Sequence, residues 1–475
     1  MGRIWAIARL TISEAIRTRL AISFMALLAG LIVLIVATAS GDGTVAGKVQ
    51  MFMSHTIGIT HLLLSLLVIF LAARMVDQDI RTQRIDSLMT KPLARWQFLA
   101  GRWLGILLLA TFLLGLVMGA SYGVVRFFSR EATGVDAVKL ENQVLVARTS
   151  YRPSLPDVSE QVERIVRERG QDEELAELTP RKMRELVRDR LITASRTVGP
   201  QQGRTWTLTG LPKPQEGSSD ATDLLTLRFK YEPSKNTEGV AEYQLHSNTI
   251  LGQWIIGRRE SPNQHMWLDA KPYRTANEIR VPINAIEADG TLELSFINRD
   301  PRGVAVNFPM EDGIEVLVRS GRFGPNFVRA FLLVLLTLVF LTTLALACST
   351  FLSFPVASLL TVSIFFVGLA GGFLWDSIGL WGTDQGTATF LEVFGKIVRE
   401  GTVWARVSHT ITFLLLHLIP ILDVGIFTDR LIDGRMIGWV EVMAGFVKLV
   451  AVQSFLLAIF AVMIFRRREL GRVIV

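Results

Sequence analysis

Met51–Ala73 reads MFMSHTIGITHLLLSLLVIFLAA, 23 residues without a charged side chain, and the run stops at Arg74. A run of about 20 apolar residues is what an α-helix needs to cross the hydrocarbon core of a bilayer. Further runs of this kind are Leu20–Thr38, Trp103–Val125, Ala330–Phe354, Pro355–Trp375 and Leu449–Phe465, the last preceded by Val442–Val447 across Lys448. Core helices of a soluble enzyme rarely stay uncharged over five turns. The pattern therefore predicts a polytopic α-helical membrane protein with six transmembrane helices. Thr410–Leu422 is also apolar, but it is short and holds His417 and Pro420. It predicts a re-entrant or interfacial segment within 390–424.

Charge divides the chain in the same way. The 475 residues carry a net +7, yet residues 127–326 hold 27 basic and 29 acidic side chains, so the flanks carry +9. Basic residues mark the cytoplasmic side of membrane proteins. They gather in the N-terminal arm (Arg3, Arg9, Arg17, Arg19), in the loop 74–102, and in the tail after Phe465 (Arg466, Arg467, Arg468, Arg472). Six spans put all three segments on the cytoplasmic face of an inner membrane, with both termini inside and 127–326 outside. Three regions follow: 1–126 with spans one to three, 127–326 as an extracytoplasmic domain, and 327–475 with spans four to six. The net −2 of the outer domain argues against a nucleic-acid partner. A single Cys in the chain excludes a disulfide scaffold and a Cys-based metal centre.

In the N-terminal arm, Ile4, Ile7, Ala8, Leu10, Thr11, Ala15 and Ile16 recur at helical spacing between arginines. A basic amphipathic helix of this kind lies on the membrane surface, drawn to the lipid bilayer by anionic headgroups. In the outer domain, residues 127–203 read as mainly helical: Val162, Ile165 and Val166, then Met183, Leu186, Val187 and Leu191, form a helical pair across Val158–Arg196. Residues 204–322 read as a β-sandwich of about eight strands: Thr205–Leu208, Leu224–Phe229, Glu242–Leu245, Gln253–Ile256, Glu278–Val281, Thr291–Phe296, Val304–Phe308 and Ile314–Val318. Asp289-Gly290 is a hairpin signal. Trp206, Trp254 and Trp267 have two readings: packing residues of the sandwich core, or platforms for stacking on sugar rings of an extracytoplasmic ligand. His246, His265, Asp269 and Glu260 lack metal-ligand spacing, and no catalytic constellation is visible. Within the last apolar segments, His417 and Lys448 are enclosed by apolar residues, which makes them cargo-path candidates; Lys448 also has the length to snorkel to the interface.

The loop between the second and third runs carries Asp79-Ile80-Arg81, Leu88-Met89, Lys91-Pro92-Leu93-Ala94-Arg95-Trp96-Gln97-Phe98 and Gly101-Arg102. This order resembles the cytoplasmic coupling segment of type-2 ABC transporter permeases. Ile419-Pro420-Ile421-Leu422-Asp423 and the ending Phe465-Arg466-Arg467-Arg468-Glu469-Leu470 are similar to that family's Pro-containing segment and basic stop. The resemblance covers 1–126 and 327–475; the chain departs from the family where it has Arg81 and Gln83-Arg84. It implies an ATPase-coupling loop carried by Asp77, Asp79, Arg81, Arg84, Asp86, Lys91, Pro92, Arg95 and Trp96. It also implies a second permease copy or paralogue and a dimer of ABC ATPase subunits that binds ATP and Mg. The chain offers no nucleotide site of its own: Gly41–Lys48 is one residue too long for a phosphate loop, and Val49 stands where Ser or Thr is needed. The expected function is that of an exporter subunit, a transport component rather than an enzyme. The rival expectation is a membrane-anchored extracytoplasmic binding or sensing protein for a glycan or protein ligand, without transport.

Overall fold

The computed structural model describes residues 2–39, 41, 43–82, 94–169, 180–212, 224–233, 248–259, 261–310, 312–371, 422 and 424–467. The chain forms two compact units, Met1–Ala147 with Arg322–Val475, and Arg148–Gly321. The separate unit starts later than the expected 127, because the third long helix does not stop at Val125.

The first unit opens with α1 (Gly2–Arg17) and α2 (Leu20–Thr38). Between them Arg19 takes a left-handed conformation, φ 61°, which ends the amphipathic helix and starts the apolar one. Helices α3 (Val45–Arg81) and α4 (Arg95–Glu131) follow, each 37 residues. At 1.5 Å per residue each is about 55 Å long, against a hydrocarbon core of about 30 Å. Their charged ends therefore extend beyond the runs that announced them. Helix α5 (Gly134–Lys139) closes this part.

In the second unit, α6 (Ser159–Arg169) and α7 (Pro180–Arg196) pack through Val158, Val162, Met183, Val187 and Ile192. The strands are β1 (Val146–Tyr151), β2 (Thr197–Val198), β3 (Gly203–Leu208), β4 (Leu224–Phe229), β5 (Glu232–Pro233), β6 (Thr249–Ile256), β7 (His265–Pro272), β8 (Asn277–Pro282), β9 (Leu292–Asn298), β10 (Val306–Asn307) and β11 (Ile314–Arg322). They pair as β1-β11-β4-β8, β2-β10-β5 and β3-β9-β6-β7. Burial alternates along β6, β8 and β9, as strands with one covered face require. Leu227 and Val316 from one four-stranded sheet and Trp254 and Phe296 from the other feed a single core. Asp289-Gly290 makes the turn before β9: Gly290 sits at φ 81°, where a Cβ would stand 2.8 Å from Leu211 O. Strand β1 lies in a segment expected to be mainly helical, and β7 was missed because its exposed Met266 and Leu268 blur the alternation. The expected strand Glu242–Leu245, with His246, and the lone Glu260 lie outside the described residues.

The Asp300 carboxylate is buried beneath Arg302, which donates from Nε at 2.8 Å, Nη2 at 2.6 Å and its backbone N–H at 2.9 Å. Burial alone would raise this carboxyl, but the hydrogen bonds and charge of Arg302 hold it below the ordinary range. A carboxyl depressed in the folded state contributes stability above its unfolded value of about 4, and that stability is lost as pH falls through the folded value. The protection of β6 and β9 against hydrogen exchange, relative to the intrinsic rate at each pH, should therefore fall below about pH 4 in the native chain and change less with pH in Asp300→Asn.

The chain returns to the first unit with α8 (Phe323–Ser349), α9 (Phe354–Leu369), α10 (Gly425–Ile432) and α11 (Trp439–Arg467), which passes through a π-helical stretch at Phe446–Ser454. Among the described residues five helices are long and apolar enough to cross a membrane: Ala21–Thr38, Val45–Asp79, Arg95–Glu131, Phe323–Ser349 and Trp439–Arg467. The chain is thus a multi-pass membrane protein with a separate β-sheet unit. Of the run expected at Pro355–Trp375, only Pro355–Leu369 lies in α9, a helix of 16 residues that is too short to be counted among the five; 372–375 and most of 390–424 lie outside the described residues. In their most apolar windows α3 and α8 are 67% and 72% buried, whereas α2 and α11 are only 11% and 17% buried. Helices α3, α4 and α8 are therefore the centre, and α2 and α11 turn apolar side chains outward, as lipid-facing helices do.

Candidate functional site

The segments that flank the coupling-like loop are joined by one arginine. Arg102, on the second turn of α4, is 1% exposed. Its Nη2 pairs with the equally buried Asp79 near the end of α3. Its Nη1 reaches Glu14 of α1 at 2.7 Å, Thr11 Oγ1 at 3.4 Å and Met75 Sδ at 3.8 Å. The Phe98 ring covers the guanidinium at 5.7 Å. Three helices thus share one buried cation, whose planar fork satisfies two carboxylates at once.

Helix α1 reaches this point because α4 presents glycine on the facing side. A Cβ on Gly101 would stand 2.6 Å from Ile7 Cβ, and one on Gly105 would stand 2.6 Å from Thr11 Cβ and 2.7 Å from Ala8 O. No side chain fits there, so the backbones pack directly. Gly105→Val should lever α1 away and destabilise the contact by about 1–3 kcal/mol, seen as faster hydrogen exchange in α1. Gly115, with nothing within 4 Å of its Cβ position, is the control: Gly115→Ala should be neutral or stabilising by up to about 1 kcal/mol.

The buried face of α1 holds Ile7, Ala8, Thr11 and Ala15. Trp5 and Ile16 remain exposed, and Arg3, Arg9, Arg17 and Arg19 all face outward. The expected surface helix is therefore docked along one face on α4, and its other face keeps the amphipathic pattern.

The same end of the unit binds the last helix. Arg95 Nη1 donates to Phe465 O at 2.6 Å and Arg466 O at 2.9 Å, capping the carbonyl end of α11, and Phe98 stacks on Phe465 at 6.1 Å. A cation there satisfies the helix's unpaired carbonyls and its dipole. Trp96 is 43% exposed. It lines a cavity of about 350 Å³ with Trp103, Thr343, Val450 and Val462, in which Trp103 Nε1 donates to Thr343 Oγ1 at 2.8 Å.

The residues named from the coupling resemblance therefore separate. Asp79 and Arg95 are internal fasteners, and Asp77 and Arg81 pair with each other along α3 at 2.8 Å. Arg84, Asp86, Lys91 and Pro92 lie outside the described residues, as does His417. Lys448 is exposed on α11. Sequence reasoning missed Glu14; the signals were its isolation as the one acid of the basic arm and the Gly101-x-x-x-Gly105 spacing facing it. It also missed a polar set in α3: Thr56 Oγ1, Thr60 Oγ1, His61 Nε2 and Ser65 Oγ are buried without hydrogen-bond partners among the described residues, with His61 edge-on to Phe365.

The three tryptophans belong to the sandwich core. Trp254 is 2% exposed and packs against Phe229 at 4.9 Å, Phe296 at 5.0 Å and Phe308 at 5.7 Å. Trp206 and Trp267 are half-buried and pack on the same core. A ring enclosed like Trp254 has no free face for a sugar, because the phenylalanines that fill the space between the sheets already cover it.

Among the described residues no group of His, Cys, Asp or Glu converges to hold a metal ion. No protein-family model, curated protein or solved structure matches this chain.

Proposed function

We propose that the chain is the membrane-spanning subunit of a type-2 ABC transporter, an exporter with six spans, cytoplasmic termini and the β-sheet unit outside the cytoplasmic membrane. Two copies, or one copy and a paralogue, would enclose the path, and an ATPase dimer would bind ATP and Mg below them. The observation that carries this reading is the Arg102 cluster. The loop that resembles a coupling segment leaves the membrane from α3 and re-enters at α4, and α3, α4 and α1 are tied to one cation at that point. A push on the loop would then move three helices as a body, and Arg95 would carry the shift to the end of α11. The polar set of α3 around His61 supplies groups that cargo or water could meet inside the bundle.

Affinity capture of the tagged full chain from mild detergent tests this. An ATPase chain should co-purify, and its activity in liposomes should change on Lys91→Ala/Arg95→Ala. Capture without any ATPase would overturn the reading. The rival, an anchored binding protein, draws on β7, an edge strand with Met266 and Leu268 about 60% exposed. It would gain if Met266→Ser/Leu268→Ser abolished capture of an extracytoplasmic partner while no ATPase was found.

A further inference from the structure

Lys448 and Glu441 stand on one side of α11, two turns apart, and both line a cavity of about 200 Å³ with Thr337, Val424 and Phe427. Glu441 Oε1 accepts from Arg430 Nη1 at 2.5 Å. Its Oε2 is buried with no hydrogen-bond partner among the described residues. The Arg430–Glu441 pair is neutral, and Lys448 makes no ion pair among the described residues. A buried carboxylate oxygen calls for a donor, and an unpaired ammonium in apolar surroundings calls for an anion.

The polar cavity opens beside a larger groove, about 1090 Å³, with which it shares Ala444 and Lys448. The groove is otherwise lined by Trp439, Val440, Met443, Val447 and Val452, with Gln453. Depth can be read along the helix. Trp439 is exposed at its start, with Arg329 over its ring at 5.1 Å, an arrangement suited to the membrane interface. Glu441 is two residues further in. Lys448 is about 13 Å below Trp439, but its side chain leans toward the helix N-terminus and its long stem reaches back up. The donor-seeking oxygen and the cation thus meet near headgroup level, and the apolar groove runs alongside.

We propose that this cavity and groove bind a phospholipid whose headgroup carries both a phosphodiester and a hydrogen-bond donor. The phosphodiester would sit on Lys448, the ammonium or hydroxyl donor on Glu441 Oε2, and an acyl chain along Val440, Met443 and Val447. The site would work whether or not the chain moves cargo. Phosphatidylglycerol and phosphatidylethanolamine have both groups; phosphatidylcholine has the phosphodiester but no donor.

Native mass spectrometry of the delipidated full chain, offered each lipid with identical acyl chains, provides the test. Phosphatidylglycerol and phosphatidylethanolamine should bind about tenfold more tightly than phosphatidylcholine, the factor one charge-assisted hydrogen bond supplies. Lys448→Met should abolish retention of all three at this site, and Lys448→Arg should keep the headgroup preference. Equal retention of phosphatidylcholine by the native chain would overturn the proposal, and so would an unchanged preference in Lys448→Met. Glycerol phosphate competing as well as the intact lipid would also overturn it, by showing that the groove contributes nothing. If Lys448→Met does not fold, the headgroup series on the native chain and on Lys448→Arg still decides.

Discussion

Arg102→Ala destabilises the helical unit by about 3–5 kcal/mol, the largest effect expected of any single substitution in it. The arginine lies 1% exposed between Asp79 and Glu14, so removing it takes from both carboxylates the buried cation they share. The loss should appear as a fall in thermal stability in detergent and as rapid hydrogen exchange in α1, whose contact with α4 depends on the cluster. The triple variant Glu14→Gln/Asp79→Asn/Arg102→Met removes the charges together and should recover most of the stability, because the desolvation of three charged groups disappears with their attraction. That variant separates folding from coupling. Under the proposed function, if the cluster transmits the loop's motion, the triple variant folds but the proposed ATPase partner no longer responds to cargo. A fully coupled triple variant would reduce the cluster to a structural fastener.

Trp254→Ala should cost the β-sheet unit about 3–5 kcal/mol. The indole lies among Phe229, Phe296, Phe308 and Trp206, and its loss leaves a cavity between two sheets that cannot close without moving strands. Hydrogen exchange of β6 and β9 in the full chain should accelerate accordingly. Trp254→Phe should recover more than half of the loss: it refills most of the space, and the indole Nε1 is buried with no acceptor to lose. If Trp254 were instead a sugar platform, Trp254→Ala would fold normally and lose only retention on carbohydrate.

Five of the six expected spans were legible because an uncharged run over five turns has few uses outside a bilayer, and Met51–Ala73 lies wholly inside α3. The strands were legible where burial alternates, as in β9, and not where both neighbours are exposed, as at Met266 and Leu268 in β7. Trp254 could be read as core or as platform from composition alone, since both environments favour a large ring. Only the packing of four aromatic neighbours from other elements decides between them.

The amino-acid sequence by itself determined the membrane class, the split into apolar flanks and a nearly neutral middle, and the amphipathic start. These are properties of consecutive residues, and hydropathy and helical period act along the chain. Tertiary structure alone decided that Glu14, Asp79 and Arg102 share one site, that Arg95 caps α11, and that Lys448 shares a cavity with Glu441. A buried charge finds its partner by proximity in space, and the Gly101 and Gly105 contacts that bring α1 within reach leave no charge pattern in the sequence to announce them.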